Sequence, residues 1–286
     1  MYEIAHFAAE DRSHPFLALE RRLPVSIFAG TSLTGREGST PRLIDLSGMS
    51  DLLQSSVRNR LLAKLSADDF NLLQPCLASI TLDRGVVLIA SDQRIKHVYF
   101  LEAGVTSSVA NTAGGRRIEI GLTGPDGLVG TPVLLGVDRT PHETFMQFAG
   151  SALRIRAKEL QHAIRTSPSL HALLLRYIQA FTIQTAQTAL SNGSHKVEER
   201  LARWLLMCHD RLDNDDLPLT HEVIAIMLGV RRAGVTEAIN LLQKRRIIRA
   251  QRGNITVLSR AKLKAVAADS YGTPEAEYRR LIGPLS

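Results

Sequence analysis

The sequence predicts an α+β chain made of an antiparallel β jelly roll, one long helix and a C-terminal winged helix-turn-helix, and three observations carry that expectation. Short β-rich runs separated by Gly, Pro, Asn and Asp fill residues 80–156. A helical pattern of more than twenty residues follows Pro168. Beyond it, residues 219–258 read as helix, glycine turn, helix and basic hairpin, in that order.

Residues 1–50 show no sustained period, and Gly30, Gly35, Gly38 and Pro41 give them the pattern of an irregular arm. Helical spacings begin near Asp51 with Leu52, Leu53, Val57, Leu61, Leu62 and Leu65, and Ser66-Ala67-Asp68-Asp69 has the form of an N-cap leading into Phe70, Leu72 and Leu73. The domain expected over 51–166 therefore starts with two short helices. Its strands are signalled by Val86–Ile89, Val98–Leu101, Ile118–Leu122, Phe145–Phe148 and Leu153–Ile155, with turns at Asn111–Gly115 and Gly124–Gly127. Several short strands at this spacing argue for a sandwich or jelly roll rather than a parallel sheet.

In the long helix, expected over 167–192, Leu170, Leu174, Tyr177, Phe181, Gln184 and Thr188 recur in alternating steps of four and three, the period of a coiled-coil seam. Two partners could cover that seam, the helix's own domain or a second copy of the chain. The second is preferred, which makes Leu170, Leu174, Tyr177 and Phe181 the expected dimer contacts. Asn192-Gly193-Ser194 reads as a hinge into a DNA-binding domain over 193–270, followed by a tail over 271–286.

In that last domain Thr220 can cap a short helix, Gly229 supplies the turn, and a second helix opens near Arg231. Val235, Ala238, Ile239 and Leu242 fall on one face of it. Arg232, Thr236, Glu237, Asn240 and Lys244 fall on the other, a polar surface suited to base edges in a major groove. Residues 247–258 then give a hairpin, the wing. From Thr220 to Lys264 ten Lys or Arg stand against two acids, a surplus of eight, while the whole chain carries only +7. So local an excess is the footprint of a polyanion-binding face.

Several function classes are excluded on composition. No stretch reaches the roughly 18 apolar residues of a membrane span, and Met1–His6 lacks the basic and apolar regions of a signal peptide, so a cytoplasmic protein is expected. Two cysteines, Cys76 and Cys208, are too few for an iron-sulfur cluster or a disulfide framework. No phosphate loop, His-Glu-x-x-His or Gly-x-Ser-x-Gly motif is present, so no enzyme and no metal site are expected. Haem ligation by one of the nine histidines stays open.

From residue 50 onward this order of elements resembles the Crp/Fnr family of transcription regulators, most closely at Leu228-Gly229-Val230-Arg231-Arg232-Ala233-Gly234-Val235-Thr236-Glu237. The resemblance implies a homodimer that reads an inverted repeat in double-stranded DNA, with half-site centres about 10 to 10.5 base pairs apart. It leaves RNA polymerase open as a further partner. Arg232 would read guanine, Thr236 and Glu237 would reach neighbouring bases, and Thr220, Arg231, Lys244 and Arg252 would hold phosphates. Ala233 replaces the family's usual glutamate. The resemblance also implies a cyclic-nucleotide-like sensor, whose positions here are Gly130, Thr131, Arg139, Thr140 and, on the long helix, Thr185. Thr131 stands where that pocket needs a carboxylate, and unpaired ribose hydroxyls would cost about 1–3 kcal/mol, so a cyclic nucleotide is open but not favoured. The alternative has Arg139 paired with Asp138 or Glu143 on the surface. A rival to the regulator is a small-ligand-binding protein whose DNA binding is nonspecific or architectural.

Overall fold

The structure is a computed structural model that describes residues 52–112 and 114–284, and the expected N-terminal arm lies outside them. Two short helices open it, α1 (Arg60–Ala63) and α2 (Ala67–Leu73). Asn59 and Ser66 cap them as their residue types favour, accepting from the backbone N–H of Leu62 and Asp69. Asn59 is fully buried and donates to the carbonyls of Leu101 and Gly127, which ties α1 to the sheet that follows.

That sheet has six antiparallel strands: β1 (Ala78–Leu82), β2 (Val87–Ile89), β3 (His97–Asn111), β4 (Arg117–Thr123), β5 (Leu128–Val129) and β6 (Glu143–Arg156). Its main order is β1-β6-β3-β4, with β2 paired to β6 and β5 to β3. The two long strands fold the sheet over on itself. Their register shifts around Ala103, and there Gly150 lies so close to the Ala103 carbonyl that a Cβ would sit 2.0 Å from it. Such an irregular, glycine-bearing corner is how a sheet closes into a roll. A short helix, α3 (Thr131–Leu134), follows β5, and α4 (Ala157–Thr166) follows β6.

The long helix, α5 (Pro168–Ser194), starts on the Ser167 cap and runs 27 residues. It passes straight through the expected hinge, and the break falls at His195 and Lys196. Its expected dimer seam faces inward: Leu170, Leu174 and Tyr177 are buried in the core shared with Phe100, Leu128, Leu153 and Leu160, and Phe181 packs against Gly121 of β4. Leu170, Leu174 and Tyr177 thus belong to the chain's own core, and Phe181 is half-buried beside β4. The sheet needed a cover, and the larger side chains of the helix supply it.

The C-terminal part comprises α6 (Val197–His209), β7 (Asp216–Leu217), α7 (His221–Leu228), α8 (Arg232–Lys244), β8 (Ile248–Gln251), β9 (Asn254–Val257) and α9 (Arg260–Ala267), with a small sheet ordered β7-β9-β8. A second core joins this part to the roll, because Val105, Val109, Leu122, Phe145 and Phe148 pack with Leu201, Leu205 and Trp204. The expected tail is also structured. Residues 273–281 form α10 (Thr273–Leu281), which lies against α5 and buries Tyr278 in the first core. Among the described residues no helix is long and apolar enough to cross a membrane.

Candidate nucleic-acid interface

The helix-turn-helix is built from a cap, a left-handed turn and an anchored second helix. Thr220 accepts from the Val223 N–H and starts α7. Gly229 ends it at φ 62°, a conformation that costs other residues a clash between Cβ and the following carbonyl. Arg231 is then extended, in the N-cap position of α8. Val235, Ala238, Ile239 and Leu242 are buried and hold α8 from behind.

The opposite side of α8 is open. Ala233, Glu237, Asn240 and Lys244 are exposed in steps of four, three and four, with Arg232 exposed at the leading edge. Thr236 lies at the border of this stripe, half-buried. Its hydroxyl meets the Arg232 carbonyl at 3.1 Å and His221 Nδ1 at 3.0 Å, so part of its hydrogen-bonding capacity is spent inside the domain. Thr220, Arg231 and the wing-tip Arg252 are exposed as well. Arg260 is bound to Asp210, whereas Arg231, Arg232, Lys244 and Arg252 have no ion pair among the described residues. Unpaired surface cations of this kind can neutralise phosphates and so release the counterions condensed on a nucleic acid.

Behind the helix-turn-helix lies a polar interior that sequence reasoning missed. Glu119 of β4 is buried between the roll and α6, accepting from Ser107 Oγ at 2.6 Å and from Trp204 Nε1 at 2.8 Å. Burial pushes its carboxyl up to about 8, against the opposing pull of those two hydrogen bonds and of Arg203 and Arg211 nearby. Arg211 in turn binds Asp126 through Nε at 3.1 Å and Nη2 at 2.6 Å, and both side chains are almost wholly buried. Arg200 donates to the Leu228 carbonyl at the end of α7, and Ile118 of β4 packs on Gly229. The turn of the motif is thus braced by the sheet. The one local sign in the sequence was Glu119, a glutamate within the strand-like run Ile118–Leu122.

The residues expected to bind an effector sit at α3, in the loop before β6 and on α5. Gly130 caps α3 with φ 112°, and Thr131 begins that helix. Arg139 lies on the surface, 3.5 Å from Asp138 and 64% exposed, which is the surface pairing weighed as the alternative. The Thr140 hydroxyl accepts from the His142 N–H, and the Thr185 hydroxyl donates back to the Phe181 carbonyl of its own helix. The space between β4 and α5 is filled by Phe181 and by Gln184, whose Oε1 accepts from the Leu122 N–H at 2.7 Å.

Comparison with known proteins agrees with this geometry. Residues 199–266 match the family model of the Crp-like helix-turn-helix domain. Over 188 residues the chain is 24% identical to a global nitrogen regulator from Nostoc sp. strain PCC 7120, covering 62% of this chain and 83% of that protein. FixK2 from Bradyrhizobium japonicum has a similar structure, with a TM-score of 0.59 at 18% identity over 67% of this chain and 98% of that one. A CRP-family transcriptional regulator from Thermus thermophilus gives 0.55 at 18% identity, over 65% and 95%. At these identities the two structures speak for the fold.

Proposed function

We propose that this chain, which belongs to the Crp/Fnr family of transcription regulators and binds DNA through its winged helix-turn-helix, acts as a homodimer on an inverted-repeat operator. The observation that carries the reading is the pairing on α8 of a buried apolar face with an open stripe of Arg232, Glu237, Asn240 and Lys244. A helix held this way can enter a major groove N-terminus first, with Arg232 within reach of guanine O6 and N7 and Glu237 suited to a cytosine amino group. Thr220, Arg231, Lys244 and Arg252 serve phosphates in this reading, and Thr236 makes a lesser contact. Residence in the cytoplasm and contact with RNA polymerase belong to it too.

The dimer in this reading uses the outer face of α5. Ala172, Leu175, Gln179, Thr182, Ala186 and Ala189 are exposed there in alternating steps of three and four, a seam of mostly small residues that lets two helices approach closely. The roll takes no cyclic nucleotide at Gly130, Thr131, Arg139, Thr140 and Thr185. What supports this is that Arg139 is turned to the surface and that Phe181 and Gln184 fill the gap beside α5.

Selection from a random duplex library is expected to return an inverted repeat, with half-site centres about 10 to 10.5 base pairs apart. On that duplex Arg232→Ala relaxes discrimination at one base pair per half-site by about 1–3 kcal/mol, while Lys244→Ala weakens selected and random DNA alike and flattens the salt dependence. Addition of cyclic AMP leaves the affinities unchanged. Equal losses on selected and random DNA for Arg232→Ala would refute its role, and recovery of no preferred sequence would refute the operator.

A further inference from the structure

The C-terminal helix lies in a groove that three parts of the molecule create together. The walls are β4 with its following turn (Leu122, Asp126), the long helix (Tyr177, Phe181, Gln184) and Arg211 from the end of α6. Pro274, Glu275 and Tyr278 of α10 close that groove, leaving a residual cavity of about 20 Å³, little more than a water molecule needs. The fit is polar as well as apolar. The Tyr278 hydroxyl donates to the Asp126 carbonyl at 2.6 Å, while the Asp126 carboxylate is held by Arg211.

The segment leading into α10 is pinned from both sides. Tyr271 donates to Asp210 at 2.7 Å, and Arg260 donates to the same hydroxyl. Gln187 and His195 at the end of α5 reach Asp269, and the Gly272 N–H donates to Glu275 to cap α10. At the far end, Leu281 and Ile282 pack on the core of the roll. The chain therefore leaves the winged domain after α9, returns to the roll and binds there.

We propose that α10 is a tethered internal ligand: seated in the groove between roll, long helix and α6, it clamps the winged domain to the roll and presets the orientation of the recognition helix. The exposed stripe of α8 stays open while α10 is seated, so the helix does not occlude DNA. Its effect on DNA is positive. A recognition helix already oriented loses less freedom on binding than one on a loosely attached domain. The DNA arm of the test rests on the operator reading above, whereas the exchange arm needs no DNA and fails or stands independently of it.

The test compares the full chain with a chain ending at Gly272, by amide hydrogen exchange and by titration of the selected duplex. Loss of α10 is expected to speed exchange in α6 and β4 at least about tenfold while β1 and β6 stay protected, and to weaken operator binding about fivefold or more. A synthetic peptide of residues 271–284 added in trans restores protection, and a scrambled peptide does not. Should the truncated chain lose protection throughout, Tyr278→Ala in the full chain decides, with faster exchange expected in α10 and α6 alone. Unchanged exchange at α6 and β4, rescue by the scrambled peptide, or operator binding that is equal or tighter without α10 overturns the proposal.

Discussion

Glu119 is a titratable group buried where the roll meets α6. A carboxylate there would be a charge in a nearly dry interior, with Arg203 and Arg211 too indirect to pair with it, so the neutral acid is favoured. Its folded value near 8 lies above the ordinary 4.5, so between those limits the folded protein holds a proton that the unfolded chain has lost. Stability therefore falls as pH rises through this window, by at most about 1.4 kcal/mol per pH unit, and levels off above it. Glu119→Gln keeps an oxygen for the Trp204 N–H and turns its amide toward Ser107, whose hydroxyl accepts as readily as it donates. The variant is expected to lose this pH slope and to be more stable than the parent at about pH 8. Trp204 is the single tryptophan of the chain, so its emission follows the same titration. Persistence of the slope or of a fluorescence inflection in Glu119→Gln would assign both to another group.

At the scale of elements, the helix-turn-helix shows why some structure is legible in a sequence and some is not. Its signals are local: a capping threonine, a glycine where φ is positive, and a helical face of Val235, Ile239 and Leu242. Each fixed an element that the structure contains. The wing was equally plain, because Gly253 sits in the tight turn between β8 and β9. The local signals of α10, Pro274 and Glu275 at its start and Arg279 and Arg280 at its end, mark a helix but not where it docks. Its sequence, rich in charge and carrying only Tyr278 and Leu281 as large apolar residues, reads as a tail until the groove that receives it is known. The surroundings of the expected sensor residues were hidden for a related reason. Gly130 occupies a real left-handed turn, but the family pattern said nothing of Phe181 and Gln184 filling the adjacent space. The turn itself offers a test. Gly229→Ala meets both a backbone penalty of about 1–2 kcal/mol and a Cβ 2.8 Å from Ile118 Cδ1. Denaturant unfolding is expected to show the full loss in Gly229→Ala. Combined with Ile118→Ala, the glycine substitution should cost less than it does alone, with the backbone part remaining. Strict additivity of the two changes would deny that the roll braces the turn.

For the whole molecule, the long helix poses a problem that periodicity cannot solve. A period of 3.5 residues repeats on every face of a helix, so the stripe Leu170-Leu174-Tyr177-Phe181 and the stripe Ala172-Leu175-Gln179-Thr182-Ala186-Ala189 satisfy the same rule. Volume decides between them. The roll has a wide apolar sheet to cover, and the first stripe carries the larger side chains, which is why it is buried against β4 and the core. What remains outward is narrow and small, with Leu175 41% exposed and Leu190 56% exposed. A stripe about 26 Å long at 1.5 Å per residue can form an extended two-fold contact with its own copy. On this argument the two stripes respond differently to mutation. Leu174→Ala removes a core side chain and is expected to cost about 2–5 kcal/mol of stability with the oligomeric state unchanged. Leu175→Arg leaves each subunit folded, since its site is open, but in the proposed homodimer it places two cations across the two-fold seam. Sedimentation should then show monomers at concentrations where the parent is dimeric, and affinity for the inverted repeat should fall toward that for a single half-site. If Leu175→Arg sedimented as the parent does while Leu174→Ala fell apart into monomers, the assignment of the inner and outer faces would be reversed.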